Sequence, residues 1–323
     1  MQRNETDDSL TTGRIYNGIK YYFSTVIKLG FLYTVRYGLV FLPHWFSVIV
    51  AKSIGILSKN GQQAKIIENE LRSLFGDGRS DEELKKIAVE SIVNYKLDLF
   101  EIWSFPRLNK NRIDRLAIVE GFKNIDQALE KGNGVIIGLS HFGSWKMVIP
   151  ALAYKGYKVH QVGLDPRYFI DKERPAHHNI IMEMEHKSEQ SLPVHFIYIG
   201  KFLRSIFRAL ENNEVVIISL DGFMGSQKME MPFFSRSLTL STGPLMIAKK
   251  SKAPLLPVFP VRQKDNRHKV IVHEEIPIHI DEDKHQTMKN SLGCYIELLE
   301  QYVNKYPSHY GRILYDRYRD PNR

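Results

Sequence analysis

The chain has 323 residues, of which 43% are hydrophobic, and this balance excludes general disorder and favours one large or two ordinary globular domains. A single cysteine, Cys294, excludes an internal disulfide and any zinc site built on a cysteine cluster. A formal net charge of +9 suits anionic lipid headgroups, an acidic protein or nucleic acid, but the basic residues are scattered along the chain, so we expect no nucleic-acid partner.

The first apolar stretch, residues 27–57, is rich in aromatic residues and flanked by basic ones. Pro43 and His44 interrupt it, and Arg36 and Lys52 bound its most apolar part, so it falls short of the about 18–20 apolar residues that span a bilayer. Aromatic side chains beside basic ones are typical of helices that lie in the membrane interface. We therefore expect membrane contact here, with a helical hairpin packed on the protein's own core as the alternative.

The residues from 14 to 105 predict an all-helical region. Its clearest helix begins after Ser80, whose side chain is placed to cap the helix, with Glu83 closing a capping box. Apolar residues recur at helical spacing along this helix: Leu84, Ile87, Ala88, Ile92, Tyr95 and Leu99. We therefore divide the chain into an N-terminal helical, membrane-interface region over 1–105 and an α/β domain over 106–323.

Short apolar segments alternate with amphipathic ones from residue 117 onward. The predicted strands are "LAIVEG", "GVIIGLS", "KVHQVGL", "EVVIISL", "APLLPVFPVRQ" and "HKVIVHEEIPI". Helical patterns separate most of them, which predicts an α/β fold with a central, mostly parallel sheet flanked by helices. After a last helix, the segment "SHYGRILYDRYRD" alternates aromatic residues with arginines. That pattern indicates either contact with an acidic carrier protein or headgroups, or a surface tail.

One histidine stands at the end of a predicted buried strand, where open α/β sheets bind their ligands. His141 directly follows "GVIIGLS", Gly143 permits a sharp turn, and the Ser144 hydroxyl is placed to cap the next helix. The helix start would then aim N–H groups at the same spot. An imidazole that accepts a proton beside donors that hold an oxyanion suits acyl or phosphoryl transfer.

The segment "GVIIGLSHFGSWKM" resembles the His-x4-Asp/Glu block of lysophospholipid-type acyltransferases. It is similar in particular to the lipid A late-acyltransferase branch, the lauroyl and myristoyl transferases, whose pattern runs His-Phe/Gly-Gly-Asn-Trp-Glu. Downstream, "ISLDGFMGSQKMEMPFFSRSLTLSTGPLMIAKKSKAPLLPVF" resembles that branch's Asp-x-x-Gly, Pro-Phe-Phe-Gly, Thr-Gly-Pro and Ala-Pro-x-x-Pro elements. The resemblance covers roughly residues 30–280, in order.

The resemblance implies a membrane-associated acyltransferase at the cytoplasmic face of the inner membrane. It would move an acyl group from an acyl carrier protein or acyl-CoA thioester to a lipid acceptor, such as a lipid A-type glycolipid or a lysolipid, without a cofactor. In the family's mechanism the histidine, here His141, is the general base on the acceptor hydroxyl. The acid five residues later orients the histidine and stabilises its protonated form.

The match fails where that acid should stand, because residue 146 is a lysine. A cation there would oppose the helix dipole and would not support a protonated His141. Three interpretations are open. In the first, Asp221, at the end of "VVIISL", partners His141. In the second, the acceptor differs, for example an amine, and Lys146 binds a substrate phosphate or carboxylate. In the third, the chain has lost the chemistry and keeps lipid or carrier-protein binding. We prefer the first, because neighbouring parallel strands end at one edge, and Lys146 is then an altered member of the catalytic site.

Further substrate-binding candidates follow from the resemblance and from residue chemistry. Arg167 and Arg174 lie where the family carries a basic residue for the acceptor's phosphates, and solvated loop charges are the alternative. Phe234 lines an acyl cavity or belongs to the core, and Arg236 faces an anionic group. Ser144 lies beside the catalytic histidine, so we include it in the substrate site.

The chain offers no convincing metal site. His177, His178 and His186, together with Glu183 and Glu185, have no spacing known for metal ligands, so we expect a solvated helix and no metal here.

Overall fold

The computed structural model describes residues 44–171, 176–200, 203–222, 227–278 and 284–319, together with positions 26, 27, 30, 33, 34 and 38. Its helices are α1 (His44–Leu57), α2 (Gln62–Phe75), α3 (Asp81–Trp103), α4 (Lys110–Leu116), α5 (Phe122–Glu130), α6 (Val148–Ala153), α7 (Ala176–Glu189), α8 (Leu203–Glu211), α9 (Gly243–Ser251), α10 (Lys284–Lys305) and α11 (Gly311–Arg319). Its strands are β1 (Ala117–Glu120), β2 (Val135–Leu139), β3 (Val159–Gly163), β4 (His195–Tyr198), β5 (Val215–Ser219), β6 (Lys228–Phe233), β7 (Arg236–Ser241), β8 (Leu255–Arg262) and β9 (His268–Val272).

Seven strands form one sheet in the order β1-β9-β8-β2-β5-β3-β4, and β6 and β7 form a separate antiparallel hairpin. All neighbouring pairs of the large sheet are parallel except β8 with β9. The prediction of an α/β fold with a mostly parallel sheet is therefore confirmed. Strand β4 and the β6–β7 hairpin are not among the strands predicted from the sequence.

The centre of the sheet is its most deeply buried part. Every residue of β2 and of β8 is buried, and β5 is buried over its first three residues. A continuous run of apolar residues is what a strand covered on both faces requires. Strand β2, which leads to His141, thus lies at the buried centre of the sheet.

The N-terminal helices pack into the same core as the sheet. The Ser80 hydroxyl accepts a hydrogen bond from the Glu83 N–H at 3.3 Å, which confirms the predicted cap of α3. Leu71 of α2 and Ile92 of α3 share one hydrophobic cluster with Tyr310, at the start of the C-terminal segment. The division of the chain at 105/106 stays a prediction.

Helix α1 has one face on the protein and one face outward. Val48 and Ala51 pack beside Leu97 of α3, whereas Trp45 and Leu57 are 62% and 85% exposed. Most of the predicted membrane-interface segment before residue 44 lies outside the described residues. None of the helices that the structure describes is both long enough and apolar enough to cross a membrane.

Candidate active site

The register of two central strands brings His141 and Asp221 together. Strands β2 and β5 are parallel neighbours, with Leu139 paired to Ser219. His141 and Asp221 each lie two residues beyond that pair, so both leave the sheet at the same edge and the same height.

The Asp221 carboxylate accepts hydrogen bonds from both the ring and the backbone of His141. Asp221 Oδ1 lies 2.8 Å from His141 Nδ1, and the His141 N–H donates to Oδ2 at 2.9 Å. The Ser219 hydroxyl donates to Oδ1 at 2.6 Å. With Nδ1 donating to the carboxylate, Nε2 is the ring nitrogen that carries the lone pair.

Electrostatics keep Asp221 ionised although its side chain is wholly buried. Burial alone would raise the pKa of Asp221, but the charge and hydrogen bond of His141 outweigh it, helped by Arg317 and Ser219, and hold the pKa well below its usual range. Arg317 Nη2 lies 3.7 Å from Asp221 Oδ2. A fixed carboxylate of this kind stabilises an imidazolium when the histidine takes up a proton.

The His141 ring is reachable from solvent. Its side chain is 31% exposed, and it meets the Trp145 ring edge-on with 5.0 Å between ring centroids. An imidazole walled in by hydrocarbon could not serve as a base, whereas this one has an open side.

Lys146 is directed to a pair of glutamates on α7. Its Nζ lies 2.9 Å from Glu185 Oε2 and 2.6 Å from Glu189 Oε1, and the lysine side chain is 14% exposed. Burial would lower the pKa of Lys146, but Glu185 and Glu189 outweigh it and hold that pKa above its ordinary value. Burial raises the pKa of Glu189, and Lys146 offsets only part of that effect. The position of the family's acid is thus occupied by a cation with its own buried counter-charges.

Ser144 takes part in a buried ionic network. Its hydroxyl donates to Asp98 Oδ1 at 2.5 Å and accepts from Arg262 Nη2 at 2.9 Å. Arg262 Nη1 also donates to Glu101 Oε1 at 2.5 Å. The expected cap is wrong, because Ser144 makes no side-chain cap bond and the chain continues as a 3₁₀ turn over Trp145–Met147.

The turn after His141 depends on glycine. Gly143 has φ +54°, and a Cβ there would lie 2.3 Å from the Pro260 carbonyl oxygen. Its N–H donates to the His309 carbonyl oxygen at 2.9 Å, so this donor is already used. The helix that follows, α6, has only six residues and begins after the 3₁₀ turn, so the predicted regular helix start does not lie directly after His141.

The remaining predicted substrate residues lie in varied settings. Arg167 is exposed and pairs with Asp165 at 2.6 Å, and Arg174 lies outside the described residues. Phe234 packs edge-on against Phe75 of α2.

Arg236 ties the β6–β7 hairpin to α2. Its guanidinium contacts the Glu70 carboxylate at 2.7 Å, the Glu70 carbonyl at 2.8 Å and the Ser73 hydroxyl at 2.9 Å. The side chain therefore already has anionic and polar partners within the protein.

The histidine-rich helix predicted near residue 180 is α7, and it is not wholly solvated. It buries Met184, Glu185, Ser188 and Glu189. Across the described parts of the chain, no group of three or more His, Cys, Asp or Glu residues is placed to hold a metal ion.

The sequence does not predict the contacts that Arg262, the Glu185–Glu189 pair and Arg317 make at this site. The first two contact the turn after His141 from elements more than thirty residues away along the chain, and no local pattern marks them. Arg317 belongs to the aromatic and arginine-rich C-terminal segment, whose composition singled it out but whose contact with Asp221 it did not predict.

Comparison with known protein families assigns most of the chain to a family. A family model described as bacterial lipid A biosynthesis acyltransferase matches residues 20–319. No curated protein matches the chain.

Proposed function

Because the chain belongs to the family of bacterial lipid A biosynthesis acyltransferases, we propose that it transfers a fatty acyl group from a thioester to a hydroxyl of a lipid acceptor, with His141 as the general base. The donor is acyl carrier protein or acyl-CoA, and the acceptor is a lipid A-type glycolipid or a lysolipid. The sequence blocks around His141 and Asp221 favour the late, lauroyl/myristoyl branch. The observation that carries the proposal is the His141–Asp221 pair, in which the His141 side chain is 31% exposed.

The reaction follows from this geometry. His141 Nε2 takes the proton of the acceptor hydroxyl while its oxygen attacks the thioester carbonyl carbon. Asp221 stabilises the imidazolium through Nδ1. The tetrahedral intermediate collapses, the C–S bond breaks, and the imidazolium returns its proton to the leaving thiolate. An ester and a free thiol result, and no metal or redox group is needed for the balance.

A membrane surface is the natural place for such an acceptor. Helix α1 turns four large apolar side chains outward, each more than half exposed: Trp45, Ile49, Ile56 and Leu57. Lys52 lies on this helix and Lys59 lies just after it. Apolar groups beside cations favour the interface of an anionic bilayer. We propose peripheral or N-terminally anchored attachment at the cytoplasmic face of the inner membrane.

The test is mass spectrometry of membrane lipids from cells that carry the intact protein, the His141→Ala variant or no protein. We expect an acylated lipid, whose mass also reports acyl length, only with the intact protein. If the variant restores the lipid as well as the intact protein, the chain is a silent homologue that binds lipid or carrier protein.

An amine acceptor is distinguished by the bond formed. Mild alkaline hydrolysis releases an ester-linked chain and leaves an amide. Release of the added chain is the expected result, and resistance would favour N-acyl transfer.

A further inference from the structure

Arg317 reaches the catalytic carboxylate from the far C-terminal helix. Its Nη2 lies 3.7 Å from Asp221 Oδ2, and its Nη1 donates to the Tyr310 hydroxyl at 3.3 Å. The Arg317 side chain is 21% exposed, so the ion pair is only partly screened by water.

The helix that carries Arg317 is held firmly in place. At its start, a Cβ on Gly311 would lie 2.2 Å from the Ser91 hydroxyl oxygen, so α11 approaches α3 as closely as a glycine allows. Tyr310 is wholly buried and packs against Phe233 with 5.5 Å between ring centroids. The position of the guanidinium is therefore set by the packed core.

The groups that act on Asp221 come from several elements. His141 follows β2, Ser219 ends β5, Tyr295 belongs to α10, and Tyr310 and Arg317 belong to the C-terminal segment. Burial raises the pKa of Tyr295 well above its ordinary value and that of Tyr310 to about 12, so both phenols are neutral near pH 7. Among the described residues, Arg317 is thus the fixed positive charge beside Asp221, and His141 is the group whose charge changes in the proposed reaction.

We propose that Arg317 is a positioning residue that stabilises Asp221 through an ion pair at its second oxygen and offsets part of the carboxylate's charge toward His141. An isolated buried carboxylate beside an imidazole favours the imidazolium, which cannot act as a base. A guanidinium on the other side of the carboxylate weakens that preference. The guanidinium does not remove the support for the protonated ring, because Asp221 still accepts the hydrogen bond from His141 Nδ1 after Nε2 has taken up a proton.

The inference rests on the proposed function, and it makes a prediction of definite sign. Replacing Arg317 with methionine should favour the protonated ring, so the acid limb of the pH–rate profile should move to higher pH by about 0.5–1 unit. On the acid limb, well below the parental midpoint, kcat/KM should then fall about three- to tenfold, with little change on the alkaline plateau.

The variants are R317M, R317K as the charge-conserving rescue, and R319M as a matched loss of an exposed arginine from the same helix. R317K and R319M should keep the parental profile. If R317M does not fold, Arg317→Gln replaces it and must show the same upward shift. A uniform loss at all pH values, with the limb unmoved, would mean a purely structural role and overturn the proposal.

A second readout needs no turnover. The ring-carbon NMR signal of His141, identified by its loss in H141A, should titrate with a midpoint about 0.5–1 unit higher in R317M than in the parent protein. An unchanged midpoint overturns the role of Arg317. An observed shift in a protein that transfers no acyl group would support the role of Arg317 while the proposed function fails.

Discussion

Restoring the family's acid at position 146 should damage this protein. In the Lys146→Glu variant, a third carboxylate replaces the cation that lies 2.9 Å from Glu185 and 2.6 Å from Glu189. Removing one partner of a buried ion pair costs about 3–5 kcal/mol. For a chain of 323 residues we expect the midpoint of thermal unfolding to fall by roughly 4–7 °C, and transfer activity to fall with it.

The loss of stability in the Lys146→Glu variant should depend on pH with a definite sign. Carboxylates crowded in the folded protein have their pKa raised above the unfolded value, as burial already does for Glu189 in the parent. The folded variant then binds more protons than the unfolded chain, so its deficit should shrink as the pH falls from about 8 to about 5. Thermal unfolding followed by fluorescence across that range measures it.

A charge-swapped control separates charge from shape. K146E/E189K restores one lysine among two glutamates and should recover part of the lost stability, whereas K146M should lie between the parent and K146E. If K146E is as stable as the parent and transfers acyl groups faster, position 146 is a catalytic-acid position at which the acid has been lost, and the reasoning is refuted.

Three further substitutions test the neighbouring structure. Ser144→Ala removes a hydroxyl that joins two buried charged side chains, so we expect a loss of about 1–3 kcal/mol in unfolding free energy with the acceptor KM unchanged; a raised KM at full stability would place Ser144 on the substrate instead. Gly143→Ala sets a Cβ 2.3 Å from the Pro260 oxygen at a φ of +54°, so near-UV circular dichroism should show a disrupted fold, and a parental spectrum would contradict this. Arg236→Met breaks a partly exposed pair with Glu70 and should cost about 1 kcal/mol in denaturant unfolding without changing the acceptor KM, whereas a large KM effect would show that Arg236 binds substrate.

Two sequence segments predict much of the backbone arrangement of the site. Val135 to His141 and Val215 to Asp221 are seven-residue runs of similar design, mostly apolar with one serine near the end and a titratable residue as the last. Val135 pairs with Val215, so the two ends coincide. The sequence predicts that both strands end at one edge, but their adjacency and register are set by the packing of the whole sheet.

The partners of Lys146 could not be predicted, because the signal is tertiary. Glu185 and Glu189 lie 39 and 43 residues further along the chain, on a helix whose polar composition indicates solvent exposure. The same holds for the Ser144 hydroxyl, which its local pattern assigns to a helix cap although Asp98 and Arg262 bind it.

The strands that were missed share a weak apolar signal. Strand β4 has four residues, of which only Ile197 is buried, because it lies at the edge of the sheet. The β6–β7 hairpin covers the core with one face only, and alternation over six residues is easily read as loop.

The central claim is that His141 and Asp221 act as one unit, and a double-mutant cycle on acyl transfer tests it most directly. With purified H141A, D221N and the double variant, we expect D221N to lose about 10²–10⁴-fold in kcat/KM and H141A at least as much. The double variant should be no worse than H141A alone. Near-parental activity in D221N, or losses that multiply in the double variant, would contradict the account.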